Sequence, residues 1–159
     1  MGEQTSDSST SSSAQQAPQA SRVKVLIIDD TPSIVAYIKD VLLTLGYQNI
    51  VTAYDGVAGL EQFYRERPDC VIVDVRMPGL DGYQVVRSIR GDLSAANTPI
   101  IILSAYEQPD QRLTGLLSGV DEYLPKPCKP SMLAATLERV IRITPDERAQ
   151  RMVDLANEV

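Results

Sequence analysis

From Val23 onward the chain alternates between two hydrophobic textures. One is the short unbroken apolar run. VKVLII at 23–28, CVIVDV at 70–75 and PIIIL at 99–103 are rich in β-branched residues and show no polar alternation. Such runs suit strands covered on both faces, as in a parallel sheet. Shorter runs at Ile50–Ala53 and Glu122–Leu124 complete a set of five. The other texture is apolar residues three and four apart, the signature of a helix with one buried stripe.

The first predicted helix follows Thr31-Pro32, an N-cap and a proline at the first helical position. It turns Ile34, Ile38, Val41, Leu42 and Leu45 inward and stops at Gly46. A second runs from Val57 to Tyr64 with Leu60 and Phe63 inward, and a third, after Met77-Pro78-Gly79, buries Val85, Val86 and Ile89. Leu113, Leu116 and Leu117 mark a fourth; a fifth starts near Ser131 and buries Leu133, Leu137, Val140 and Ile141. Five strands alternating with five helices predict an α/β fold: a doubly wound, five-stranded parallel sheet with helices on both faces.

Both ends differ from this core. Residues 1–21 are mostly Ser, Gln, Thr and Ala, too poor in apolar bulk to offset their ordering entropy, and are expected to be disordered. The folded domain is expected over 22–143. In 144–159, Thr144-Pro145-Asp146-Glu147 forms a capping box ahead of a thin stripe of Ala149, Met152, Val153 and Ala156. It reads as a helical extension for dimerisation or connection to a partner.

Composition removes several functions. The 159 residues carry a net charge of -6, against the clustered cations that nucleic-acid binding needs. No apolar run approaches the roughly 20 residues of a membrane span. The opening Met-Gly-x-x-x-Ser matches the N-myristoylation pattern but has no basic cluster after it. Cys70 and Cys128 lack metal-ligand spacing, which fits free thiols in a reducing, cytoplasmic setting. There is no histidine, so His-based acid–base catalysis, Ser–His–Asp triads and a phosphohistidine donor role are excluded.

The candidate chemistry lies at the carboxyl ends of the predicted strands, where open α/β sheets bind ligands. Asp29 and Asp30 end the first, Asp74 the third and Ser104 the fourth, and Lys126 follows the fifth. Crowded carboxylates repel each other, and a hard divalent cation relieves the conflict. Mg2+ suits carboxylates combined with phosphate oxygens. With Lys126 it would balance the three aspartates and leave an electroneutral site for an incoming phosphoryl group. An ionised aspartate is a competent nucleophile for that group.

These residues carry a family resemblance. LIIDD at 26–30, VDVRMPGLDG at 73–82, PIIILSA at 99–105 and DEYLPKP at 121–127 together resemble the receiver domain of two-component response regulators. The resemblance implies that Asp74 is the phosphoacceptor and that Asp29, Asp30, Asp74 and the main-chain carbonyl of Arg76 hold Mg2+. It implies that Ser104 and Lys126 bind the phosphoryl group, that Ser104 and Tyr123 are switch residues, and that Lys126-Pro127 is often cis. The fourth helix, fifth strand and fifth helix would present the output. Arg76 and Tyr106 are expected to tune phosphoryl lifetime by excluding water. The implied partners are a histidine kinase or phosphotransfer protein as donor and a downstream protein or second copy as receiver of the signal, without direct nucleic-acid or membrane contact.

Three other functions match the residues less well. A haloacid-dehalogenase-like phosphatase would carry a second acid two residues after its nucleophile, where this chain has Arg76, and would place the nucleophile on the first strand. A receiver-like module that works without phosphorylation would not need the full acidic set. A flavodoxin-like carrier would need a phosphate-cradling loop where Asp29 and Asp30 stand.

Overall fold

The computed structural model describes residues 17–105 and 118–158. The elements are α1 (Ala17–Arg22), β1 (Lys24–Ile28), α2 (Pro32–Thr44), β2 (Asn49–Ala53), α3 (Gly56–Glu66), β3 (Cys70–Asp74), α4 (Gly82–Gly91), β4 (Ile100–Ser104), β5 (Glu122–Pro125), α5 (Pro130–Ile141) and α6 (Pro145–Glu158). The strands form one sheet in the order β2-β1-β3-β4-β5, every neighbouring pair parallel. This is the doubly wound architecture that the unbroken apolar runs predict.

Each run divides its side chains between two cores. Val25, Ile27, Cys70, Ile72, Ile101 and Leu103 face α2 and α5, meeting Val35, Ile38, Leu42, Leu133, Leu137 and Val140. The alternate residues Leu26, Ile28, Val71, Val73, Ile100 and Ile102 face the layer of Phe63 from α3 and Val85, Val86 and Ile89 from α4. Burying one such aliphatic side chain stabilises the fold by about 1.5–3 kcal/mol, so β1, β3 and β4 form a stiff base for whatever their ends carry.

Four helix readings shift. In α2 Ile38, Val41 and Leu42 are buried as expected, but in the first turn the buried residue is Val35, with Ile34 only partly covered. In α3 the inward face is Gly56, Gly59 and Phe63, and Val57 is 59% exposed. A Cβ on Gly59 would stand 2.6 Å from Cδ1 of the fully buried Ile28, so this helix reaches the sheet because a side chain is missing there. The segment 1–21, expected to be disordered, overlaps a helix at its end: α1 forms and Ala20 packs on the core. In α6 the capping box is present, with Glu147 N donating to Thr144 Oγ1 and Thr144 N to Glu147 Oε2. Its expected apolar stripe is not inward, however, and the buried residue is Arg148. Residues 1–16, Tyr106 and the fourth predicted helix lie outside the described residues.

Candidate functional site

Strand register brings the candidate residues to one rim. Ile28 pairs with Val73, so Asp29, the next residue, falls level with Asp74. Asp74 pairs with Leu103 and Ser104 with Pro125, which leaves Lys126 just past the same edge. One ligand oxygen from each of Asp29, Asp30 and Asp74 lies within 4.8 Å of the others. Asp29 is 1% exposed and Asp74 8%, while Asp30 faces solvent.

Lys126 spans the two buried acids. Its Nζ donates to Asp29 Oδ2 at 2.7 Å and lies 3.0 Å from Asp74 Oδ1. Its main-chain N donates to Ser104 O at 2.7 Å, pinning the head of β5 to the head of β4. The Lys126-Pro127 peptide is cis. Asp29 is oriented by Thr31 N, which donates to its Oδ1 at 2.9 Å.

The electrostatics leave charge unbalanced. Burial first, and then the negative charge of Asp29, push the Asp74 carboxyl above the usual carboxylate range, against the pull of Lys126. Burial works against the charge on Lys126, but its bonds to Asp29 and Asp74 outweigh that and hold it above the ordinary lysine range. Among the described residues, Lys126 pairs with two of the three gathered carboxylates, Asp29 and Asp74. Hard oxygen donors with surplus negative charge fit a divalent cation of the Mg2+ type.

The loop after Asp74 is shaped from below. Gly82 N donates to Val75 O at 2.9 Å, and Asp81 caps α4 through a reciprocal box with Gln84. A Cβ on Gly82 would fall on the carbonyl oxygen of Asp74, 2.9 Å from its carbonyl carbon. Arg76 is exposed above this loop. Ser104 is 3% exposed at the end of β4. Tyr123 is already inward, 7% exposed in the core layer that holds Met77, Val86 and Val120.

A second charged cluster, at the opposite end of the sheet, was not found in the sequence. Asp121, 3% exposed just before β5, accepts from Ile100 N at 2.8 Å and Arg90 Nη2 at 3.1 Å through Oδ2, and from Arg148 Nε at 2.7 Å through Oδ1. Burial draws Arg90 below its usual value, and Asp121 offsets part of that. The arginines lie 31 and 27 residues from Asp121, so no local spacing announces them.

Comparison with known proteins agrees on one family. The model for the response regulator receiver domain matches residues 25–138. The "Probable transcriptional regulator ycf27" of Guillardia theta is 45% identical over 121 residues, covering 76% of this chain and 46% of that protein. The response regulator MprA of Mycobacterium tuberculosis is 36% identical over 131 residues, covering 82% and 56%. The chain thus spans about half the length of these relatives. Among solved structures, the Vibrio cholerae chemotaxis protein CheY4 superposes with a TM-score of 0.70 at 35% identity, covering 74% of this chain and 98% of that one. The receiver domain of the Pseudomonas aeruginosa sensor histidine kinase PA1611, described with a magnesium ion coordinated in its active site cleft, superposes with a TM-score of 0.69 at 34% identity, covering 75% and 97%.

Proposed function

The chain belongs to the response regulator receiver domain family, and from that premise we propose that Asp74 accepts a phosphoryl group from the phosphohistidine of a partner kinase or phosphotransfer protein. The phosphorus–nitrogen bond of the donor breaks as a bond from an Asp74 carboxylate oxygen to phosphorus forms. The observation that carries this reading is the buried Asp74 carboxylate within 4.8 Å of two further acids and 3.0 Å from the Lys126 ammonium. Asp29, Asp30, Asp74 and the main-chain carbonyl of Arg76 would hold Mg2+, which when bound supplies positive charge for the phosphoryl oxygens.

The remaining roles fall to the chain itself. Lys126 exchanges part of its bonding to Asp29 and Asp74 for a phosphoryl oxygen, a charge-assisted bond of greater strength than a neutral one. The Ser104 hydroxyl donates to a second oxygen. Ser104 and Lys126 end adjacent strands, so the transfer pulls on the heads of β4 and β5 together, with Tyr123 part of the responding unit. Arg76 shields the acyl phosphate from water, so Arg76→Ala shortens its half-life.

Intact-mass spectrometry after incubation with acetyl phosphate and Mg2+ tests the reading. One added phosphoryl group on the wild type and none on Asp74→Asn is the expected result; equal labelling of both would refute it. The name of one relative, a probable transcriptional regulator, supports a transcriptional output. The expectation of no nucleic-acid contact then applies to these acidic residues alone, and signal passes through protein contacts first.

A further inference from the structure

Helix α6 sits on the foot of β5 in an unusual way. Arg148 is 8% exposed and is the buried residue of the helix. Its Nε reaches Asp121 Oδ1 at 2.7 Å and its Nη1 donates to Asn97 O at 3.0 Å. Arg151 Nη1 donates to Asp121 O at 3.1 Å. The apolar residues that a permanently packed helix would bury stay in water: Met152 is 38% exposed and Val153 53%.

Space is left on both sides of this polar pillar. A groove of about 520 Å3 lies between α6 and the foot of the sheet, reaching Asn97, Gly119 and Leu155. Another of about 740 Å3 separates α6 from α5 around Glu138, Arg142 and Gln150. Arg148 Nη2 is buried and finds no acceptor among the described residues. A buried donor without an acceptor loses its hydration for no return. The seat therefore rests on a few directional charge contacts, with little apolar burial to hold it once they shift.

The anchor is tied to the candidate site. At the foot, Asp121 N donates to Ile100 O at 2.9 Å and its carboxylate accepts from Ile100 N at 2.8 Å. At the head, Lys126 N donates to Ser104 O. β4 and β5 are thus stapled at both ends, and five residues, roughly 16 Å of extended chain, separate Asp121 from Lys126. Short, fully paired strands move as units, and interfaces built on them switch between discrete arrangements.

We propose that α6 is a releasable element: its arginines dock it on Asp121 at the foot of β5 while Asp74 is unmodified, and phosphorylation at the head of the same strand pair undocks it. The inference rests on the phosphoacceptor reading of Asp74. When Lys126 and Ser104 turn to the phosphoryl group, the stapled pair shifts and the fit of Arg148 to Asp121 and Asn97 is lost. Release uncovers Asp121 Oδ1, with Arg90 and Ile100 N still on Oδ2, and frees Leu155 together with the already exposed Met152. By thermodynamic reciprocity, weakening the seat must favour the phosphorylated arrangement by the same factor.

Hydrogen–deuterium exchange of the full chain, with and without beryllofluoride and Mg2+, tests this. The expected result is new protection over 74–82 together with exchange in 148–158 faster by about tenfold, a mid-range allosteric coupling. Protection over 74–82 with unchanged or slower exchange in α6 overturns the inference and leaves the phosphoacceptor reading standing. No protection over 74–82 overturns both. Arg148→Ala and the milder Arg151→Ala, a change at an exposed position, supply the reciprocal arm. Each variant that folds is expected to exchange rapidly in α6 without beryllofluoride and to bind beryllofluoride more tightly than wild type, by up to about tenfold for Arg148→Ala. Wild-type beryllofluoride affinity in a variant whose α6 already exchanges rapidly overturns the coupling.

Discussion

Replacing Gly82 by alanine tests how the candidate acceptor is positioned. The added methyl would fall on the carbonyl oxygen of Asp74, 2.9 Å from its carbonyl carbon and 3.0 Å from Val75 Cα. All three are backbone atoms, so no side chain can rotate away, and relief of the contact with the Asp74 carbonyl oxygen requires β3 and the first turn of α4 to separate by roughly 1 Å in a close-packed interior. Overpacking of this kind costs about 1–3 kcal/mol, and alanine's better helix propensity returns up to about 1. A net loss of about 1–2 kcal/mol lowers the midpoint of thermal unfolding by roughly 2–8 °C. The functional effect is separate: a misplacement of about 1 Å costs on the order of 100-fold in the rate of labelling by acetyl phosphate.

Gly59→Ala is the matched control. Its methyl meets Ile28 side-chain atoms at 2.6, 2.9 and 3.0 Å, away from the acceptor, and Ile28 is fully buried. The stability loss is of the same order, about 1–3 kcal/mol before the helix gain, but the labelling rate stays within about twofold of wild type. Adding Ile28→Val removes the nearest atom and returns part of the stability, which a double-mutant cycle reads as coupling. Intact-mass time courses well below each midpoint, with thermal melts alongside, separate the two effects. A wild-type rate for Gly82→Ala refutes the positioning argument. Equal rate losses in both variants refute it too, since rate would then follow stability alone.

Asp121→Ala is expected to cost about 3–5 kcal/mol, because Arg90 and Arg148 are left as buried charges without their shared carboxylate, whereas Arg148→Ala costs about 1–3, since Asp121 keeps Arg90 and Ile100 N; urea unfolding that reverses this order would refute the assignment of Asp121 as the hub. Asp74→Asn is expected to raise the melting temperature in metal-free buffer by a few degrees, roughly the effect of 1 kcal/mol. The sign follows from the carboxyl's folded value lying above its unfolded one through burial and Asp29: at neutral pH the charge opposes folding, and the penalty fades as pH falls through the raised value. Mg2+ should then stabilise wild type more than the variant, and scanning calorimetry with chelator or Mg2+ reads both effects. Cys70 is fully buried with its thiol pushed far up by burial, and Cys128 is half-buried with its thiol raised by burial against a backbone bond from Leu133. A native protein is therefore expected to give one slow thiol reaction that accelerates with rising pH, and a second only in denaturant; two fast native thiols would refute this.

The sheet could be read in the chain because each buried strand is written locally, as a run such as CVIVD whose alternate residues serve two cores. The head of the sheet was readable for a related reason. Strand ends in a parallel fold share a rim, so Asp29, Asp74, Ser104 and Lys126 could be placed together once the strands were found. What escaped lacks a local mark. The inward face of α3 holds the expected Phe63 and Leu60 but is completed by Gly56 and Gly59, where contact with Leu80 and Ile28 depends on a missing side chain that no hydrophobic stripe announces. In α6 the apolar stripe, read as a surface for dimerisation or a partner, stays exposed at Met152 and Val153, and what the spacing does not show is the anchor, a guanidinium on a carboxylate 27 residues earlier. Long-range pairing of charges leaves no periodicity to read.

The two charged clusters at opposite ends of the sheet argue their own roles by contrast. At the foot, the single carboxylate of Asp121 receives two guanidinium groups and a backbone N–H, and removing that carboxylate strands two buried cations. The acid there is more than matched by its own cations, and the cluster serves to hold β4, β5 and α6 together. At the head, among the described residues, Lys126 pairs with two of three gathered carboxylates, and burial already pushes Asp74 toward its neutral form. A fold that only sought stability would gain by replacing one of these acids with an amide. Keeping all three makes sense only if the missing positive charge comes from outside, with an anion to follow it. The same sheet thus carries a carboxylate well supplied with cations at one end and carboxylates short of them at the other, and β4 and β5 join the two.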